Sequence, residues 1–418
     1  MRTVGIIAEF NPFHKGHQYI LEKAKAHTDC QRAMVVMSGS FVQRGEPAFF
    51  DKWTRAKCAL LNGADMVLEL PVLFAAANAE IFAMGGVKVL EDTVFCQVTF
   101  LHAGMTNALC FGSESGDLKA LQEAAKIMTN ETEEFQRLLK AGLDEGMSYP
   151  AARAKALETV SHISSEIISR PNHILGLEYL KALDRLGSNI EPCTIRRKGS
   201  QYDNPSLTGE FASAAAIRKG ILEENATEAF LQVPENIVDL LTKEISLGTA
   251  PASMDELAGA LHYKLRTTSA EEIHDILEVT EGLENRILRA IDNEFFMNDI
   301  IEYIKTKRYT RTKIQRILVH ILLDIRAKEV DYFLSQNHLP YIRVLGFQKD
   351  NADILGELTE RAKCPVLTNL KKAPEILDED GLHLLALEKL ATDLQALAAP
   401  NPLYRAPNRD FTTPMAIV

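Results

Sequence analysis

The chain has 418 residues, enough for two or three domains at ~150 residues each. Apolar residues make up 46% and charged residues 25%, as in an ordinary soluble protein, and the formal net charge of -11 excludes a generally basic nucleic-acid coat but not a local basic face. No run of ~18 apolar residues exists and the start lacks a signal-peptide pattern, so no membrane partner and a cytoplasmic setting are expected. Cys30, Cys58, Cys96, Cys110, Cys193 and Cys364 form no CxxC pair; they read as reduced structural thiols, and no protein-bound metal is expected.

Residues 3–9 form a short apolar run, followed by a Pro-containing loop and an amphipathic segment over 16–27. Residues 33–37 form a second run. Asp51 is placed to cap a helix reaching about Asn62. Residues 65–70 make a third run, ended by Pro71, and a helix is expected over 76–91. Residues 107–111 form a fourth run, ended by Gly112. Strands alternating with helices imply a parallel sheet covered on both faces, a doubly wound α/β domain. After Asp117 the pattern is helical to Leu186, with a further strand over 190–195. A short helix starts near Ala212 and carries Ile217-Arg218-Lys219. From Ala226 onward helix follows helix, with a bundle expected over 253–326 and short extended pieces at 341–346 and 365–368. The alternation stops near 225–245, so the expected domains are a catalytic α/β unit over 1–225 and a mostly helical unit over 226–418.

The segment Phe10-Asn11-Pro12-Phe13-His14-Lys15-Gly16-His17 lies between the first strand and the first helix. In an open parallel sheet, ligands bind outside the carboxyl ends of the strands. The helix start offers free backbone N–H groups and a positive dipole end, which suits a triphosphate. Gly16 lets the backbone approach the phosphates. His14 and His17 are three apart and share one face of the helix start. Two imidazoles there can donate hydrogen bonds as negative charge grows on a phosphoryl group. A lone histidine at a helix start is more often an ordinary polar residue; the full strand, Asn-Pro-Phe, His-x-Gly-His and helix combination is far more specific. A zinc pair would need a third ligand, and none is evident.

These residues resemble the HxGH signature of the nucleotidyltransferase superfamily, which implies a Rossmann-like fold shared with class I aminoacyl-tRNA synthetases. Ala212-Ser213-Ala214-Ala215-Ala216-Ile217-Arg218 resembles a degenerate ISSTxIR element, making Ser213 and Arg218 phosphate donors. Further stretches resemble the tRNA(Met) cytidine acetate ligases within that group. They are Ile7-Ala8-Glu9-Phe10-Asn11-Pro12-Phe13-His14-Lys15-Gly16-His17, Met37-Ser38-Gly39-Ser40-Phe41-Val42-Gln43-Arg44-Gly45-Glu46-Pro47, Lys52-Trp53-Thr54-Arg55, Glu69-Leu70-Pro71, Phe111-Gly112-Ser113-Glu114, Ser148-Tyr149-Pro150 and Arg170-Pro171-Asn172-His173-Ile174-Leu175-Gly176. The resemblance implies that acetate attacks the α-phosphate of ATP, giving acetyl-adenylate and pyrophosphate. The amine of the wobble cytidine of elongator tRNA(Met) then takes the acetyl group. Magnesium is expected as a counter-ion to the triphosphate, without a carboxylate cage. His14, His17 and Lys15 are the implied catalytic residues. Nucleotide contacts are implied for the loop through Gln18, Tyr19 and Ile20, and for Gly112, Asn172, Arg197 and its neighbour Arg196. Read alone, Gly112 is a turn glycine, Asn172 a helix cap and Arg197 a solvated arginine. Gln43, Arg44 and Lys52 could face acetate or tRNA, or lie in a solvated loop. Residues 94–105 are longer than the family's usual link and are given no role.

Residues 305–316 hold six basic side chains and no acidic one. Lys307, Arg308, Arg311 and Lys313 are the candidate RNA contacts, with Tyr309 available to stack on an unpaired base. The bland alternative is a solvated basic helix face. Two other functions fit the HxGH element alone: a small-molecule adenylyl- or cytidylyltransferase, and a nucleotide-binding regulator without catalysis. The first leaves the long helical part without purpose; the second tolerates the altered Ser213–Arg218 element.

Overall fold

The computed structural model describes residues 1–93, 106–147, 149–161, 170–197, 207, 211–223, 225–280 and 282–418. Residues 94–105, and Ser148 of the Ser-Tyr-Pro motif, lie outside these. The first half alternates as expected. β1 (Thr3–Ala8) leads into α1 (Lys15–Thr28), then β2 (Arg32–Ser38). A small antiparallel hairpin, β3 (Phe41–Val42) and β4 (Glu46–Pro47), precedes α2 (Lys52–Leu60), which Asp51 caps by accepting from Thr54 N at 2.8 Å. β5 (Met66–Leu70), the helix Ala79–Asp92 and β6 (Thr106–Ser113) follow. Helices Leu118–Thr129, Glu133–Asp144, Tyr149–Ser161 and Pro171–Arg185 then lead to β7 (Glu191–Arg196).

These five long strands are parallel, in the order β5-β2-β1-β6-β7. Every residue of β2 and β5 is buried, as continuous apolar runs in a sheet covered on both faces must be. The chain winds outward from β1 on one side and then from β6 on the other. The crevice at their carboxyl ends is therefore the switch point where ligands bind.

Residues 226–418 are mostly helical, with Ala258–Arg266, Leu283–Asn293, Met297–Ile304 and Arg311–Leu323 packed on apolar faces. They also return to the sheet. The extended piece expected at 341–346 is β8 (Ile342–Phe347), paired antiparallel to β5. β9 (Val366–Leu367) and β10 (Ala416–Ile417) pair with β8. β8 thus covers the edge that β5 would otherwise expose.

A buried ion cluster locks this return. Lys52 Nζ lies 2.7 Å from Glu69 Oε1 on β5 and 2.8 Å from Asp410 Oδ1. Arg343 of β8 reaches Glu69 at 2.9 Å and Asp410 at 2.7 Å. Lys52 is fully buried in this cluster and does not lie in a solvated loop. Its charge is held inside because two carboxylates compensate it.

Candidate active site

At the end of β1 the chain turns through Phe10, with φ of 49°, and a cis Asn11–Pro12 peptide. Phe10 and Phe13 are buried, and the Phe10 ring lies 4.9 Å from both the Phe13 and His17 rings. Asn11 Oδ1 accepts from Phe49 N at 2.7 Å. Beneath the loop, the buried Arg55 donates to the carbonyls of Glu9 (2.7 Å), Ser38 (2.9 Å), Phe50 (3.0 Å) and Gly39. One guanidinium thereby ties the ends of β1 and β2 together.

His14 is the N-cap of α1. Its Nδ1 accepts from Gly16 N at 3.0 Å, while His17 Nδ1 accepts from His14 N at 3.3 Å. The pair forms a capping box in which imidazoles replace the usual hydroxyl and carboxylate. The two rings stack with centroids 3.7 Å apart. Gly16 is required here, because a Cβ would sit 2.8 Å from His14 Cε1. Burial, reinforced by the Arg197 cation, pushes the His14 pKa down to about 3. Burial, with His14 and Arg197 adding to it, holds His17 well below its ordinary value too. Both rings are therefore neutral. With each Nδ1 accepting a backbone N–H, each ring carries its proton on Nε2. The site holds two fixed Nε2–H donors in the wall of a cleft.

The opposite wall comes from β6, the Pro171–Arg185 helix and the end of β7. Arg197 prolongs the ladder, its N–H donating to Ser113 O at 2.8 Å. Its Nη1 donates to Asn172 Oδ1 at 3.0 Å, and Asn172 Nδ2 donates to Glu114 Oε1 at 2.7 Å. Asn172 is an orienting residue here, at the second position after the cap Arg170, and not a cap. Gly112 makes room for Arg197, whose Cγ would lie 3.0 Å from an added Cβ. Ser113 and Glu114 of the Phe-Gly-Ser-Glu stretch thus act through Arg197 and Asn172, a role the motif alone did not reveal.

Ser213 caps the helix Ala214–Leu222, accepting from Ala216 N at 3.1 Å. Arg218 Nη1 donates to Asn11 O at 2.6 Å, which brings the degenerate element against the His loop. Ser213, Arg218, Arg197, Asn172 and Gly112 all line the His14–His17 cleft, as do Gln43 and Arg44. Ile7, Ala8, Glu9, Phe10, Asn11 and Ile20 line it from the loop side. Glu9 Oε1 accepts from Gln43 N at 2.7 Å, and burial pushes its carboxyl pKa up despite nearby Arg218, Arg44 and Arg55. The cleft presents the Arg44, Arg197 and Arg218 side chains and the neutral imidazole donors to an anion, alongside the Glu9 carboxyl.

Other expected residues stand elsewhere. Lys15 is exposed in the first turn of α1. Arg196 is exposed on β7, since successive strand side chains alternate faces and Arg197 takes the inner one. Pro12 and Phe13 are buried beneath the loop. Gly16 and Tyr19 line a shallow hollow beside the cleft, where Tyr19 meets Phe211, and Gln18 lines neither. In the basic stretch, Lys307 and Arg308 are exposed. Arg311 pairs with Glu302 at 2.9 Å, the Lys313 ammonium sits 5.1 Å from the Tyr309 ring centre, and Arg316 pairs with Glu278 at 2.7 Å. Carboxylates absent from the stretch itself thus approach it from neighbouring elements. Among the described residues, no group of three or more His, Cys, Asp or Glu could hold a metal ion, and no helix is long and apolar enough to cross a membrane.

A family model described as HIGH Nucleotidyl Transferase matches residues 1–410. The tRNA(Met) cytidine acetate ligase of Acetivibrio thermocellus is 39% identical over 425 aligned residues, covering 100% of both chains. That of Halothermothrix orenii is 38% identical over 99% of both. Crystal structures of Thermotoga maritima TmcAL, apo and bound with alpha-thio ATP, superpose with TM-scores of 0.92 and 0.90 at 33% and 32% identity, covering 100% of each chain. The chain belongs to the HIGH nucleotidyl transferases and, within them, to the tRNA(Met) cytidine acetate ligases.

Proposed function

We propose that this ligase joins acetate to ATP as acetyl-adenylate and passes the acetyl group to the wobble cytidine of elongator tRNA(Met), giving N4-acetylcytidine, AMP and pyrophosphate. The observation that carries the reading is the neutral, stacked His14–His17 pair in the wall of a cationic cleft. Acetate is a poor acyl donor until its oxygen belongs to a good leaving group. In-line attack on the α-phosphate supplies that, and needs mainly positioning and charge stabilisation.

In this reading the two Nε2–H groups donate to α-phosphate oxygens as they gain charge. Being neutral in the free enzyme, they neither lose a proton on binding nor attract acetate away from phosphorus. Arg197, oriented by Asn172, and Arg218, held on the Asn11 carbonyl, take the rest of the triphosphate with Ser213 and the α1 N-terminus. Gly112 keeps Arg197 against the strand end. Magnesium would enter with the nucleotide; among the described residues no cluster of His, Cys, Asp or Glu is placed to hold it, and no step here depends on one. Lys307 and Arg308 are the exposed cations that suit tRNA phosphates, with Arg311 and Lys313 beside them. A tRNA substrate implies a cytoplasmic site of action.

Acetate-dependent ATP–pyrophosphate exchange, with N4-acetylcytidine appearing in an elongator tRNA(Met) transcript, tests the reading. Pyrophosphate release indifferent to acetate would favour a small-molecule nucleotidyltransferase instead.

A further inference from the structure

A second cavity adjoins the nucleotide cleft and shares two of its walls, Asn11 and Arg218. Its far side is built by the helical part of the chain, through Asn298 of Met297–Ile304 and through Arg311 and Gln315 of Arg311–Leu323. It therefore runs from the His14–His17 loop to the foot of the basic stretch. Leu222, 63% exposed, stands on its lining.

The lining joins apolar walls to two carboxylates, Asp255 and Glu46, of which Glu46 is held from both sides. Phe49, Met254 and Ile301 supply buried apolar surface. Glu46, on β4, accepts at Oε1 from Gln315 Nε2 at 2.8 Å. Its Oε2 lies 3.9 Å from Arg218 Nη2. An amide on the helical side and a guanidinium on the catalytic side thus hold the carboxylate at the partition between the two cavities. Carboxylates are the usual side-chain acceptors for the exocyclic amine of cytosine. Enzymes that modify a base take it out of its stack into a pocket with apolar walls and a few fixed polar groups. The acceptor must also approach from a side that the bound nucleotide leaves open.

We propose that this second cavity is the acceptor-base subsite. A cytosine unstacked from a single-stranded loop enters from the basic helical face and presents its N4 amine to Glu46, beside Arg218 and the α-phosphate. The inference rests on the acetyl-transfer reading above. The transfer balances without a further reactant. The amine nitrogen forms the new N–C bond to the acetyl carbon. The acyl C–O bond breaks and its electron pair leaves on the phosphate of AMP. One amine proton passes to Glu46 Oε2.

The test measures both half-reactions in the full chain carrying Leu222→Trp or Glu46→Gln. Acetate-dependent ATP–pyrophosphate exchange reads the first half and also certifies the fold. N4-acetylcytidine in a tRNA(Met) transcript reads the whole. Leu222→Trp should keep exchange near the parent rate. Leu222→Trp should lower acetylation at least ~10-fold through a misplaced base. Glu46→Gln should lower it ~100-fold by losing the proton acceptor. Retained acetylation in either variant overturns the proposal, and so does an equal loss of exchange and acetylation. A parent protein without acetate-dependent exchange would instead overturn the ligase reading, and this subsite with it.

Discussion

Replacing His14 by alanine removes two things at once: the Nε2 donor and the cap that Nδ1 gives α1. Loss of a cap costs about 1 kcal/mol, whereas loss of one fixed donor to a developing anion costs ~100-fold or more in rate. His14→Asn separates the two. It should keep the parent melting temperature, because asparagine caps well, yet lose pyrophosphate exchange as fully as His14→Ala. A His14→Asn enzyme with parent exchange rates would refute the donor role. The depressed pKa values of both rings have a further consequence. The unfolded chain takes up protons below about pH 6.5, but the folded His14 does so only near 3. Stability contributed by the neutral rings is full above pH 6.5 and drains away as pH falls toward 3, by up to about 1.4 kcal/mol per pH unit per ring. Arg197 is the charged neighbour that deepens the effect. Melting temperature should therefore fall between pH 6.5 and 4.5, and fall less in His17→Gln. Across the wall of the cleft, Asn172→Ala frees Arg197 from its tether. It should raise the KM for ATP ~10-fold, the value of one charge-assisted hydrogen bond, with kcat little changed.

At the scale of elements, β1, β2, β5, β6 and β7 were legible because each holds a short apolar run, and the helix Lys52–Leu60 because Asp51 caps it; the β3–β4 hairpin was not expected. Gly112 and Asn172 were expected as nucleotide contacts only through the family resemblance; in three dimensions both line the cleft and each serves Arg197, one by making space and one by orienting it. β8 was legible as an extended piece and not as a partner of β5. Its pairing is set by a contact between distant residues, which local periodicity cannot carry. The same distance hid Lys52, whose burial depends on Asp410 and Arg343. Asp410→Asn leaves Lys52 and Arg343 short of a counter-charge in the interior. The expected cost is about 3–5 kcal/mol, visible as a lower denaturation midpoint, with pyrophosphate exchange per folded molecule unchanged.

At the scale of the molecule, a chain of net charge -11 must draw in a polyanion through a restricted face. The basic stretch was legible as charge; its partial neutralisation by Glu302 and Glu278 was not, since those carboxylates come from outside it. Charge reversal at Arg308 or at Arg311 should weaken tRNA binding. Each lost phosphate contact should flatten the dependence of log affinity on log salt by about 0.7, and exchange without tRNA should be untouched in both. Simultaneous loss of exchange and tRNA binding would remove this face from consideration as a docking surface.

The strand that closes the sheet beside β5 has a bearing on how the protein comes into being. Every side chain that lines the His14–His17 cleft has left the ribosome once Arg218 has, and Gln232, which holds Lys15 N and Ala212 N, follows soon after. Glu69 and Lys52 must still wait for Arg343 and Asp410 before their charges are enclosed. During that interval the nascent sheet carries an open edge and a hydrated ion pair where the finished protein has a dry one. The charges of the sheet can therefore be enclosed only after both Arg343 and Asp410 have been made, and until then the core stays open on that side.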